Sequence, residues 1–190
     1  SKGADAKISD NTAWTAISMA AAEGNNAAVE LLISHGIDPN ATNDDGKTVL
    51  MYATNSGDLP TVATLIKKGA DVNLQDPLGV VALMVAARNN NTEIVSYLLQ
   101  HGATINIEDN AEWTALAWAV NKSAIDAAKV LINNGADVNH KDSQSTPILE
   151  LAIDADSAEL VKLLLAHQAN LKARDKYGLT AYVYALKKGN

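Results

Sequence analysis

The chain has 190 residues, of which 47% are hydrophobic and 19% charged. That is the composition of one globular domain with a sizeable core, and it excludes a wholly disordered or collagenous chain. The formal charge of −7 argues against a binder of phosphate backbones, so no nucleic-acid partner is expected.

With no Cys, disulfides, thiol nucleophiles and thiolate metal sites are excluded together, and cytoplasm and bacterial periplasm both stay open as compartments. No stretch approaches the ~18 apolar residues of a membrane span, so no membrane insertion is expected. The chain starts at Ser1 without a Met, as a processed or trimmed chain would, and an export signal could already have been removed. Phe is absent, and three Trp and five Tyr are the only aromatics. The core must therefore come from Ala, Leu, Ile and Val, which suits thin, closely packed elements.

The sequence repeats itself at one fixed interval, that from Ala20 to Ala53. Ala recurs at Ala20, Ala53, Ala86, Ala119, Ala152 and Ala185; Leu recurs at Leu32, Leu65, Leu98, Leu131 and Leu164; Gly recurs at Gly3, Gly36, Gly69, Gly102 and Gly135. A period that holds register throughout means one supersecondary unit stacked on copies of itself. Residues 1–9 read as the tail of an earlier unit, either a cut from a longer array or an N-terminal cap. Full units then start at Asp10, Asn43, Asp76, Asp109 and Asp142, with a half-unit from Asp175 to Asn190, making 1–190 a single repeat domain.

Within the unit from Asn43, the spacing predicts two short helices. Thr48 caps the first, from Val49 to Asn55, and Ser56 and Gly57 break it. The second runs from Leu59 to Lys68 with Leu65 and Ile66 on its buried stripe, and Gly69 permits a left-handed ending. Gly-Ala-Asp-Val-Asn then leaves as a loop. Helices this short are marginal alone, so neighbouring units must stabilise them. In the fifth unit Thr146-Pro147 stands one residue early and Gln168 replaces the expected Gly, so the turn entering that unit is expected to be deformed.

This unit resembles the ankyrin repeat, with its length of about 33 residues, β-turn, antiparallel helix pair and Thr-Pro-Leu-His-x-Ala signature. The resemblance spans essentially the whole chain and implies an all-α ankyrin-type solenoid of stacked antiparallel helix pairs with β-turn or hairpin loops. No unit has the signature His; Ser18, Met51, Met84, Ala117, Glu150 and Val183 stand there instead.

Candidate chemistry is sparse. His35, His101 and His167 share one phase two units apart and so cannot converge on a metal or a proton transfer. His140 reads as a loop residue. The Asp series Asp10, Asp76, Asp109, Asp142 and Asp175 reads as turn residues accepting backbone N–H bonds, and the Asn series Asn40, Asn73, Asn106 and Asn139 as turn stabilisers. No catalytic residue, metal ligand or cofactor is assigned, and no enzymatic activity is expected.

Aromatic residues give the sharper pointer. Trp14 and Trp113 share a phase filled elsewhere by Lys47, Val80, Thr146 and Leu179. In ankyrin repeats, the resemblance implies, this phase faces the concave groove, so an indole there is expected to be exposed and not demanded by packing. A second phase holds Met19, Tyr52, Val85, Trp118, Leu151 and Tyr184, and suits core packing with part of each ring reaching the groove. Trp and Tyr carry interface energy out of proportion to their number.

The expected partner-binding residues are Trp14, Lys47, Tyr52, Val80, Arg88, Trp113, Trp118, Asn121 and Lys122. The function implied is a non-enzymatic scaffold, monomeric on its own, that docks a protein through its groove and loops. The alternative is a dedicated inhibitor or immunity-type protein that blocks a partner enzyme, such as a bacterial exported hydrolase. Six cations from Leu160 onward oppose Asp175 alone, a balance of +5, which leaves −12 for residues 1–159. A partner with a basic surface is therefore expected to approach the N-terminal units.

Overall fold

The structure, a computed structural model, describes residues 15–189. Eleven helices occur among them: α1 Ala16–Ala22, α2 Asn26–Ser34, α3 Val49–Ser56, α4 Leu59–Lys67, α5 Ala82–Arg88, α6 Thr92–Gln100, α7 Ala115–Asn121, α8 Ile125–Asn133, α9 Ile148–Asp154, α10 Ala158–Ala166 and α11 Ala181–Lys188. The odd-numbered helices start at Ala16, Val49, Ala82, Ala115, Ile148 and Ala181, evenly spaced at the interval of the sequence repeat. Each odd helix from α1 to α9 packs on the next odd helix and on its own even partner, and α11 packs on α9, which builds two parallel rows, the all-α ankyrin-type solenoid. None of these helices is long and apolar enough to cross a membrane.

Local signals set the helix ends. The side chains of Thr15, Thr48 and Thr114 accept the N3 amides of α1, α3 and α7, and Asn25, Asp58, Asn91 and Ser157 cap α2, α4, α6 and α10 in the same way. Each such bond satisfies an amide that the helix itself cannot. Gly36, Gly69, Gly102 and Gly135 follow the outer helices with φ between 89° and 98°, where a Cβ would be strained. Ala53, Ala86, Ala119 and Ala152, together with Leu65, Leu98, Leu131 and Leu164, are completely buried. Alanine on the inner row lets helices approach closely, and that is how a chain without Phe closes its core.

The turn entering the fifth unit is not deformed. Lys141 bridges Pro147 as Thr42 bridges Thr48 and Arg174 bridges Thr180. Asp142 N–H donates to the Thr146 carbonyl as Asn43 N–H does to Lys47. Proline fits because its missing N–H falls at a helix N-cap, where nothing requires it; the effect is the loss of a side-chain cap on α9. Gln168 adopts the glycine-like conformation itself, at φ 68°.

Tips of consecutive hairpins are joined by asparagines. Asn40 accepts from Asp71 N–H at 2.7 Å and donates to the Gly69 carbonyl at 3.1 Å. Asn73 does the same with Thr104 and Gly102, and Asn139 with Asn170 and Gln168. Asn106 accepts from Asp137. These residues tie each unit to the next, a larger part than the turn stabilisation their spacing suggested.

Candidate functional site

The inner helices α3, α5 and α7 present Tyr52, Arg88 and Trp118, among other side chains, to a cleft of about 480 Å³ closed on its other side by hairpin residues. Lys47, Val80 and Leu78 stand on the hairpin side, and Val85 and Met51 contribute apolar wall. The inward phase of each inner helix recurs once per unit, so stacking brings residues one period apart into one surface.

Polar groups fix the walls. Asp109 accepts the amides of Ala111 and Trp113 with one carboxylate oxygen, and its other oxygen takes the Trp118 indole N–H at 2.9 Å. Trp118 meets Trp113 edge to face, with ring centroids 5.5 Å apart, the arrangement that the ring quadrupoles favour. The Arg88 guanidinium lies 6.0 Å from the Trp118 ring and donates to Asn55 at 3.3 Å. No carboxylate of the described residues lies within ion-pair distance of Arg88 or Lys47. Burial, reinforced by the charge of Asp45, raises the Tyr52 hydroxyl above its usual value, against a hydrogen bond with Asn43, so Tyr52 is neutral at physiological pH.

Leu78 is 65% exposed at the tip of the Pro77–Gly79 turn. Its carbonyl accepts the Asn110 amide at 2.9 Å, while the Asn110 side chain donates to Pro77. Gly79 makes that approach possible. At φ 78° a Cβ here would stand 2.8 Å from the Asn110 nitrogen.

Of the residues expected from sequence, Lys47, Tyr52, Val80, Arg88 and Trp118 line this cleft. Trp113 does not line it, and it is not exposed. The ring is half-buried against the core, and its indole N–H donates to Asp142 at 3.2 Å, because the acidic residue opening the next hairpin lies within reach of this phase. Asn121 and Lys122 are exposed at the end of α7, outside the cleft. Trp14 lies outside the described residues. Asp76, Leu78, Asp109, Asn110 and Ala111 also line the cleft and were missed. Leu78 carried a readable signal, since a large apolar residue between Pro and Gly in a turn is out of place unless something contacts it.

The cleft can hold an apolar side chain between Tyr52, Val80, Val85 and Trp118, with the Lys47 ammonium and the guanidinium N–H groups that Arg88 does not give to Asn55 left to meet an acceptor. The described residues contain no group of three His, Asp or Glu placed to hold a metal. Three of the four histidines have ring hydrogen bonds: His35 and His101 bond carbonyls one turn back in their helices, and His140 donates to the Glu112 carbonyl of the preceding hairpin at 2.6 Å.

Sequence profiles of ankyrin repeats match the chain over residues 2–76 and 68–142 in the three-copy form, and over 131–185 in the many-copy form. The crystal structure of the human ASB11 ankyrin repeat domain is similar at 25% identity and a TM-score of 0.87, covering 97% of this chain and 82% of that one. No curated protein matches.

Proposed function

The chain belongs to the ankyrin repeat family, whose repeats form protein–protein interaction domains, and from that premise we propose that it is a non-enzymatic scaffold docking its partner at the cleft between Tyr52, Arg88 and Trp118. The observation that supports this most is the meeting of exposed Leu78, two aromatic rings and two cations with no ion-pair partner among the described residues in one concavity. Interface hot spots favour this mixture, an apolar and aromatic centre with arginine. The balance of −12 over residues 1–159 favours a partner body with a basic surface, whose approach the field would speed at low salt.

Affinity capture from the native source with the wild-type chain and with Arg88→Glu and Leu78→Ser tests the reading. Both substitutions fall on residues that are at least partly exposed, so the thermal midpoint should hold. The expected result is a protein retained by the wild type and lost with both variants. A partner bound equally well by all three would move the interface elsewhere. Assaying the captured protein at a 1:1 ratio then separates a scaffold, which leaves its activity intact, from a dedicated inhibitor, which abolishes it.

A further inference from the structure

Glu150 is the third residue of α9, at the position where the earlier inner helices carry Ser18, Met51, Met84 and Ala117, all buried. It is only 2% exposed, and its Oε1 atom is buried without a hydrogen-bond partner. An ionised carboxylate left in this way loses its hydration with nothing to replace it, and the usual outcome is uptake of a proton.

The surroundings push in the same direction. Asp142 and Lys141 face Glu150 from the hairpin before α9, Asp175 from the hairpin before α11, and Asp154 from the next turn of α9 itself. From α11, the Tyr184 hydroxyl donates to Asp154 at 2.7 Å and the Lys188 ammonium pairs with the same oxygen. The Tyr184 hydroxyl is pushed up to about 12, chiefly by that bond to Asp154, and the Glu150 charge acts on it as well. Helix α7 carries no titratable side chain, and Glu159 and Lys162 of α10 are exposed. Lys141 thus acts on Glu150 against three carboxylates, Asp142, Asp154 and Asp175. Burial first, then Asp175 and Asp154, raise its carboxyl from 4.5 to about 7.

We propose that Glu150 is a proton-operated latch holding the C-terminal half-unit, α11 and its hairpin, on the last full unit. Neutral, the side chain fills the seam that Met51 and Met84 fill elsewhere. Ionised, it sets an unpaired charge among Asp142, Asp154 and Asp175 and loosens the contact of α11 with α9.

The sign follows from linkage. The docked form holds a proton that the undocked form gives up, so docking is strongest below about 4.5, weakens as pH rises towards 7, and is level above that. Hydrogen–deuterium exchange on the full chain, corrected for the intrinsic pH dependence of exchange, reads this directly. Protection of the α11 amides should fall roughly tenfold or more between pH 5.5 and 8, while α5, remote from the seam, holds constant. Glu150→Gln should remove the dependence, and Glu150→Met, the residue two other units place here, serves the same purpose if the glutamine variant folds poorly. Equal protection of α11 at both pH values in the wild type would overturn the latch, as would a pH shift that persists in the folded variant.

Discussion

The indole N–H of Trp113 donates to the carboxylate of Asp142 across 3.2 Å, from one hairpin to the start of the next. Asp142 meanwhile holds its own turn by accepting the amides of Gln144 and Thr146. One carboxylate thus closes a turn and clasps the neighbouring unit. Asp109 closes its own turn in the same way and spends its other oxygen within the unit, on the indole N–H of Trp118.

Trp113 is therefore expected to matter for folding. Trp113→Phe keeps most of the ring contact and strips the donor from Asp142, at a cost of about 0.5 to 1.5 kcal/mol. Trp113→Ala also removes the half-buried ring, for roughly 1 to 3 kcal/mol in total. Urea denaturation of the two variants checks this. An alanine variant as stable as the wild type would return this indole to the role of a surface residue.

Asn73 makes two bonds to the following unit, accepting from Thr104 at 2.8 Å and donating to Gly102 at 3.0 Å. Asn73→Ala should cost about 1 to 2 kcal/mol and flatten the unfolding transition, because coupling between units is what makes a solenoid unfold as a whole. Comparing transition slopes as well as midpoints separates lost coupling from lost stability; an unchanged slope and midpoint would mean water replaces both bonds without cost.

Gln168 sits at φ 68° where four other units hold glycine. A left-handed conformation costs a residue with a Cβ roughly 1 to 2 kcal/mol, part of which glycine gives back through its freer unfolded chain. Gln168→Gly should therefore stabilise the protein by about 0.5 to 1 kcal/mol, seen as a higher thermal midpoint. A lower midpoint would show that the glutamine side chain makes contacts that outweigh its strain.

Leu98 is wholly buried in α6, in the middle of the array. Leu98→Ala should cost roughly 2 to 5 kcal/mol, and the loss should spread to both flanking units, since neither helix row can bypass it. Calorimetry would reveal this as a broadened or split endotherm. A transition of unaltered shape and position would contradict the dependence of each unit on its neighbours.

The repeat itself was legible in the residues. The shared period of Ala, Leu and Gly carries helix positions, caps and the buried stripe, because those depend on interactions within a few residues of one another. The bounds expected for α3 and α4 differ from the observed ones by a single residue at one end. The Asp series was legible for the same reason, as Asp76, Asp109, Asp142 and Asp175 each accept amides two and four residues on.

Contacts across units were decided by the tertiary structure. Whether Trp113 faces solvent or Asp142, whether Asn40 serves its own turn or Gly69 in the next, and which side chains meet Arg88 all depend on the offset and rotation between stacked units. A period counts residues along the chain and contains neither quantity. Glu150 illustrates the limit: its sequence position marks a departure from the pattern, but its charge becomes costly only where the packed seam excludes water and gathers Asp142, Asp154 and Asp175 around it.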